Sequence, residues 1–113
     1  MFSIFKSRKQ KIADAAVALR HYEIASESVE LLRKTVYPKT FFGRCDDVAF
    51  EEERMTGRPS KFKKDTALQT KLQMEFLDRA IAAGKKDLLR KEMPKYVGRL
   101  TTEALAYYRG LGL

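Results

Sequence analysis

Apolar side chains recur at intervals of three and four along the first third of the chain: Ile12, Ala15, Leu19, Tyr22, Ala25, Val29, Leu32 and Val36. That is the period of one helix face, because an α-helix returns to the same side every 3.6 residues. No glycine or proline interrupts the run, so the spacing predicts one unbroken helix from about Arg8 to Val36. Glu30 and Lys34 stand four apart in the favourable order on that helix. A helix of this length needs partners to cover its apolar side, and those partners must be helices too. Nowhere does the chain alternate apolar and polar residues for long enough to make a strand.

The first helix ends at Tyr37-Pro38-Lys39-Thr40-Phe41-Phe42-Gly43-Arg44-Cys45-Asp46-Asp47. Proline lacks an N–H and clashes inside a helix but suits a first turn, so Pro38 predicts a tight corner and a new helix start. Phe41 and Phe42 are placed to fill that angle. The second helix is expected to run from Pro38 to Met55 or Thr56, with Gly57 as its stop. Its inward face would be Phe41, Cys45, Val48 and Met55, and Asp46 and Asp47 lie near its positive end. Arg58-Pro59-Ser60 breaks the pattern, since a residue before proline is biased away from helix.

Ser60 reads as the N-cap of a third long helix passing through Phe62, Leu68, Leu72, Phe76, Leu77, Ala80, Ile81 and Leu88 toward Met93. Gly84 would fall inside it at a cost of about 1 kcal/mol relative to alanine, either letting a neighbour pack closely or dividing the helix. Pro94 ends the run, and a shorter helix is expected from Tyr96 to Arg109. The fold class is therefore all-α: a single domain over residues 1–113, built as an antiparallel bundle of three long helices plus a shorter C-terminal helix. Residues 1–7 and 110–113 are expected to be loose. A length of 113 residues with 44% hydrophobic content is enough to bury a core without staples. No apolar run approaches the roughly 20 residues of a membrane span, and the start lacks the order of a signal peptide. The single cysteine excludes an internal disulfide, and with one histidine it excludes an ordinary zinc site. The lone cysteine fits a reducing, cytoplasmic setting.

The corner resembles a motif found in an uncharacterised family of small helical proteins of bacteria, their phages and mobile elements. There a segment Asn-Pro-x-Thr-Phe-Phe-x-Arg-Tyr-Asp opens a helix, and Pro38, Thr40, Phe41, Phe42, Arg44 and Asp46 match it here. Tyr37 stands in place of the asparagine and Cys45 in place of the tyrosine. Phe76-Leu77-Asp78-Arg79-Ala80 is similar to an apolar-Asp-Arg-Ala segment on the next long helix of that family. The resemblance implies a helical fold and a phage or mobile-element setting, and it implies no activity.

Thr40, Arg44 and Asp46, with Asp78 and Arg79 across the bundle, make a candidate polar cluster around the corner formed by Phe41 and Phe42. Its structural form would be a Thr40 cap and an Arg44–Asp78 ion pair pinning two helices in register. Carboxylates are a second candidate. Glu23, Glu27 and Glu30 share a face of helix one, and Asp47 and Glu51 share a face of helix two, with Glu52 and Glu53 following. Such an arrangement on facing helices is what a Mg²⁺-dependent nucleotide hydrolase uses. His21 beside Tyr22 has no nucleophile at a recognisable spacing, and Cys45 lies on the inward face as a small hydrophobe. No phosphate loop, nucleophile elbow or dinucleotide fingerprint occurs. No enzyme activity, cofactor or metal is expected.

Net charge is +8 with a pI near 9.7, which favours anionic partners. One basic group is Arg58, Lys61, Lys63 and Lys64. The other, Lys85, Lys86, Arg90, Lys91, Lys95 and Arg99, has Tyr96, Tyr107 and Tyr108 nearby, as a nucleic-acid-binding face does. Phe2, Ile4 and Phe5 beside Lys6, Arg8, Lys9 and Lys11 read either as a surface anchor or as a frayed helix start packed on the bundle. The expected function is a non-enzymatic module that binds another macromolecule. A protein is the leading partner, nucleic acid bound by the basic face is the alternative, and a homo-oligomer is compatible with both. A carboxylate-metal nucleotide hydrolase is the remaining alternative.

Overall fold

The computed structural model describes residues 7–113, and within the first helix it leaves undescribed the side chains of Ala18, His21, Tyr22, Ile24 and Ala25. The patch of Phe2, Ile4 and Phe5 lies outside the described residues. Every regular element described is a helix. In chain order they are α1 (Arg8–Arg33), α2 (Pro38–Thr56), α3 (Lys61–Lys64), α4 (Thr66–Ala82), α5 (Lys86–Glu92) and α6 (Thr102–Gly110), with two single 3-10 turns, Met93–Lys95 and Val97–Arg99, between the last two. No helix is long and apolar enough to cross a membrane among the described residues.

Local chemistry sets the boundaries. Ser7 caps α1, its hydroxyl accepting from the Gln10 N–H at 3.1 Å. Pro38 occupies the first turn of α2, and Gly57 closes that helix in the left-handed region (φ 64°), its N–H donating to the Glu53 carbonyl at 2.9 Å. The first two helices thus begin and end close to where the spacing and the breakers put them. Val36 falls beyond α1 but still packs on the core.

The third long helix is not continuous. Asp65 leaves helical geometry (φ −88°, ψ 81°) and caps α4 by accepting from the Leu68 N–H at 3.0 Å. Gly84, at φ 74°, then ends α4. The Lys85 N–H reaches the Ala80 carbonyl at 2.8 Å and the Gly84 N–H reaches Ile81 at 3.0 Å, the paired bonds of a Schellman stop. Gly84 is therefore a required stop and not a tolerated mid-helix residue. The segment expected as one helix is α3, α4 and α5. The last helix likewise begins later than expected, at Thr102, because the Thr101 hydroxyl caps it by accepting from the Ala104 N–H at 3.3 Å. The C-terminal tail also departs from the expectation of looseness, since Leu111 and Leu113 are half-buried and pack on the core.

The core joins Leu32 of α1, Phe41, Phe42 and Val48 of α2, Leu72, Phe76, Leu77 and Ala80 of α4, and Leu89 and Met93 beyond it. α1 packs on α2 and α4, α2 on α3 and α5, and α4 on α3, α5 and α6. Arg33 Nε lies 2.9 Å from Glu75 Oε2, joining α1 to α4, while Arg33 Nη1 holds Glu30 at 2.9 Å, so Glu30 pairs with Arg33 of the same helix.

The α1 stripe is only partly covered. Leu32 is fully buried, yet Ile12 is 62% exposed and Leu19 60%. The cause is in the spacing, which from Ile12 to Leu32 averages about 3.3 residues against 3.6 for a straight helix. Each step falls short of a full return, so Ile12 and Leu32 end up about 160° apart around the helix at 100° per residue. A body that covers Leu32 leaves Ile12 on the other side.

Candidate functional site

The corner residues divide into a buried aromatic set and an outer polar set. Phe41 and Phe42 are 1% and 2% exposed. Phe41 stacks on Phe76 of α4 with centroids 4.5 Å apart and meets Phe42 edge-on at 5.1 Å. Phe42 stacks in turn on Tyr96 at 5.0 Å. The guanidinium of Arg99 lies over the open face of Phe42, 5.2 Å from its centroid, and its Nη2 holds Asp46 Oδ1 at 2.6 Å. One arginine thus closes the aromatic column and clamps α2 to the C-terminal segment.

Beneath that clamp is a cleft of about 200 Å³, lined among others by Phe41, Phe42, Cys45, Asp46, Phe62 and Arg99. Burial pushes the Cys45 thiol up to about 12, with Arg99 pulling it down and Asp46 raising it further. A thiol held protonated at neutral pH is neither a nucleophile nor a ready metal ligand.

The outer polar set does not converge. Thr40 and Arg44 are exposed and line a shallow groove on the α1 side with Leu31, Val36 and Tyr37. Asp78 is exposed on α4 and accepts a hydrogen bond from the Tyr107 hydroxyl of α6, which raises the Tyr107 pKa. The expected Arg44–Asp78 pair is replaced by the Asp46–Arg99 and Asp78–Tyr107 contacts. Tyr37, the N-cap of α2, makes no side-chain cap bond, and Thr40 does not supply one in its place.

The six cations of the basic stretch are also separated in role. Arg99 belongs to the clamp. Arg90 holds Asp87 at 2.6 Å and Lys95 holds Glu92 at 2.9 Å. That second contact raises the Lys95 pKa and lowers that of Glu92. Lys85 lies over the Tyr37 ring, 5.7 Å from its centroid. Lys86 and Lys91 are exposed. Five of the six cations are thus exposed, with Lys85 half-buried, and Arg90, Lys95 and Arg99 each also hold a carboxylate in an exposed pair.

The acidic residues are placed one by one. Glu23 pairs with Arg20 at 3.5 Å, Glu51 with Arg54 at 2.9 Å and Glu53 with Lys63 at 3.0 Å. Glu52 is buried and works as a hook. It accepts from the Lys61 N–H at 2.8 Å, the Phe62 N–H at 3.2 Å and the Ser60 hydroxyl at 3.1 Å, satisfying the first turn of α3. No three acidic, histidine or cysteine side chains gather as a metal site among the described residues. Sequence reasoning missed this hook. It also missed the buried Gln73, whose Nε2 donates to the Arg99 carbonyl at 3.2 Å while its Oε1 accepts from the Thr101 N–H at 2.9 Å.

The largest exposed apolar side chains described are Ile12, Val17, Leu19 and Leu31 on α1, Tyr37 in the loop after it, and Phe50 on α2. Four of these six belong to α1, and Ile12 and Leu19 are seven residues apart, on one face. No family model, no curated protein and no solved structure gives a significant match to this chain.

Proposed function

We propose that the chain is a non-enzymatic interaction module whose docking element is the outer face of α1. The observation that carries this reading is that Ile12 and Leu19 point away from the core with about three-fifths of each exposed. Contiguous exposed apolar side chains on a helix mark a place where another surface docks. The lone cysteine supports a cytoplasmic location, and the resemblance of residues 35–46 to a phage and mobile-element motif supports that setting.

The test is a photo-crosslinking residue at position 16, between Ile12 and Leu19, introduced into the full chain in cells, with one at position 86 as control. Protein adducts formed from position 16 and lost in Leu19→Glu support the reading, and no adduct from position 16 overturns it. Exposed Lys86 and Lys91, with the excess positive charge, favour a second reading in which nucleic acid is bound. Adducts to nucleic acid from position 86 would support it. Anisotropy with short DNA and RNA checks it independently, since phosphate contacts weaken by orders of magnitude with added salt.

A further inference from the structure

The outer face of α1 is ordered by charge as well as by polarity. Lys9, Ile12, Ala16, Leu19, Glu23 and Glu27 follow one another at steps of three or four, so they share one side of the helix. All six are exposed. Arg8 adds to the basic end. The Arg20–Glu23 contact at 3.5 Å is between side chains 66% and 52% exposed, a pair that holds Glu23 only weakly. The face is therefore basic at one end and acidic at the other, with Ile12, Ala16 and Leu19 between them and Arg20 flanking Leu19, over a length of about 27 Å.

We infer that this face pairs with the same face of a second copy of the chain, the two α1 helices running antiparallel and crossing near Ala16. This rests on the reading of α1 as the docking element and names its partner. A two-fold axis at Ala16 sets Lys9 of one copy over Glu23 of the other, with Ile12 beside Leu19 of the other. Opposite charges meet at both ends, on either side of the central crossing. Parallel pairing would place Lys9 against Lys9 and Glu23 against Glu23, so charge selects the antiparallel arrangement. The face is self-complementary, as a two-fold interface must be, and this favours a second copy over an unrelated protein. One helix face from each copy belongs with the small, reversible interfaces (below ~1,200 Å²), so the test is set to read a Kd on the order of 10–100 μM.

Sedimentation equilibrium of the full chain from low micromolar to about 500 μM tests this across that range. The expected result is a monomer–dimer equilibrium that Leu19→Glu weakens at least about tenfold while circular dichroism stays unchanged. Arg8→Glu with Lys9→Glu should dissociate the dimer, as should Glu23→Lys with Glu27→Lys, and the chain carrying all four changes should regain it. A monomer throughout, a dimer indifferent to Leu19→Glu, or no recovery in the fourfold variant each overturns the inference. The crosslinking arm separates its failure from that of the broader reading. Adducts from position 16 at twice 13.0 kDa belong to self-pairing, whereas adducts only to another protein keep the docking element and remove the second copy.

Discussion

Phe41 sits between two rings, with Phe76 stacked against one face and Phe42 meeting it edge-on. Truncating it removes the transfer energy of a fully buried ring and leaves a cavity that its stacked neighbours cannot close. Phe41→Ala is expected to lower stability by about 3–5 kcal/mol in urea titration, and a loss below about 1 kcal/mol would mean that the ring is solvated. Cys45 makes a prediction about pH. Its folded thiol is held at about 12 against an ordinary 9.0, so the folded chain keeps a proton that the unfolded chain has released. The contribution of the buried thiol is fully present below about pH 9 and is lost as pH rises toward about 12. The stability difference between the native chain and Cys45→Ala should shrink across that window, because the variant has no thiol to titrate. The two phenylalanines and the cysteine were legible as inward residues because α2 keeps a regular helical period from a fixed proline start. The partners of Asp46 and Asp78 were not legible, since they depend on where Arg99 and Tyr107 arrive, and no local spacing encodes that.

Helices are delimited here by single residues whose side chains or backbone angles end them. Gly84 decides between two readings by the sign of one substitution. In a continuous helix Gly84→Ala would stabilise by about 1 kcal/mol. At φ 74° an added Cβ has open space around it but a disfavoured backbone, so Gly84→Ala should instead destabilise by about 1–2 kcal/mol in thermal or urea unfolding. Glu52 is the other element-scale anchor. Glu52→Ala strands the Lys61 and Phe62 N–H groups in a half-buried corner and should cost about 3 kcal/mol, with faster hydrogen exchange at those two amides. α1 and α2 could be read because long periodic runs and a proline or glycine bound them. The break at Asp65 went unread, and the one at Gly84 was only one of two readings, because the apolar period continues across both. Nor does any spacing in the sequence reveal that a carboxylate eight residues before Ser60 reaches forward to cap α3.

At the scale of the molecule, the core draws on α1 through Leu32, with Val29 and Val36 packed against it, and leaves the outer face of the helix to solvent. Ile12→Glu and Leu19→Glu should therefore shift the melting temperature of a dilute, monomeric sample by no more than about 2 °C, as surface changes usually stay within about 0.5 kcal/mol. A loss several times larger, measured by calorimetry, would place those side chains in the core after all. All-helical architecture was legible in the sequence. The winding of the α1 stripe was present there too, as a mean spacing shorter than a helical turn, but its meaning needed the body it packs against.

The polar latches that hold this body together close very different lengths of chain. Glu52 reaches Ser60 across 8 residues, Gln73 reaches Thr101 across 28, and Asp46 reaches Arg99 across 53. A loop of about 10 residues closes in roughly 10–100 ns, whereas longer closures must wait for larger parts of the chain to meet. On closure times alone the α2–α3 corner is expected to form before the latch that carries Arg99 and α6, an order that pulsed hydrogen exchange at the Lys61 and Ala104 amides during refolding would read.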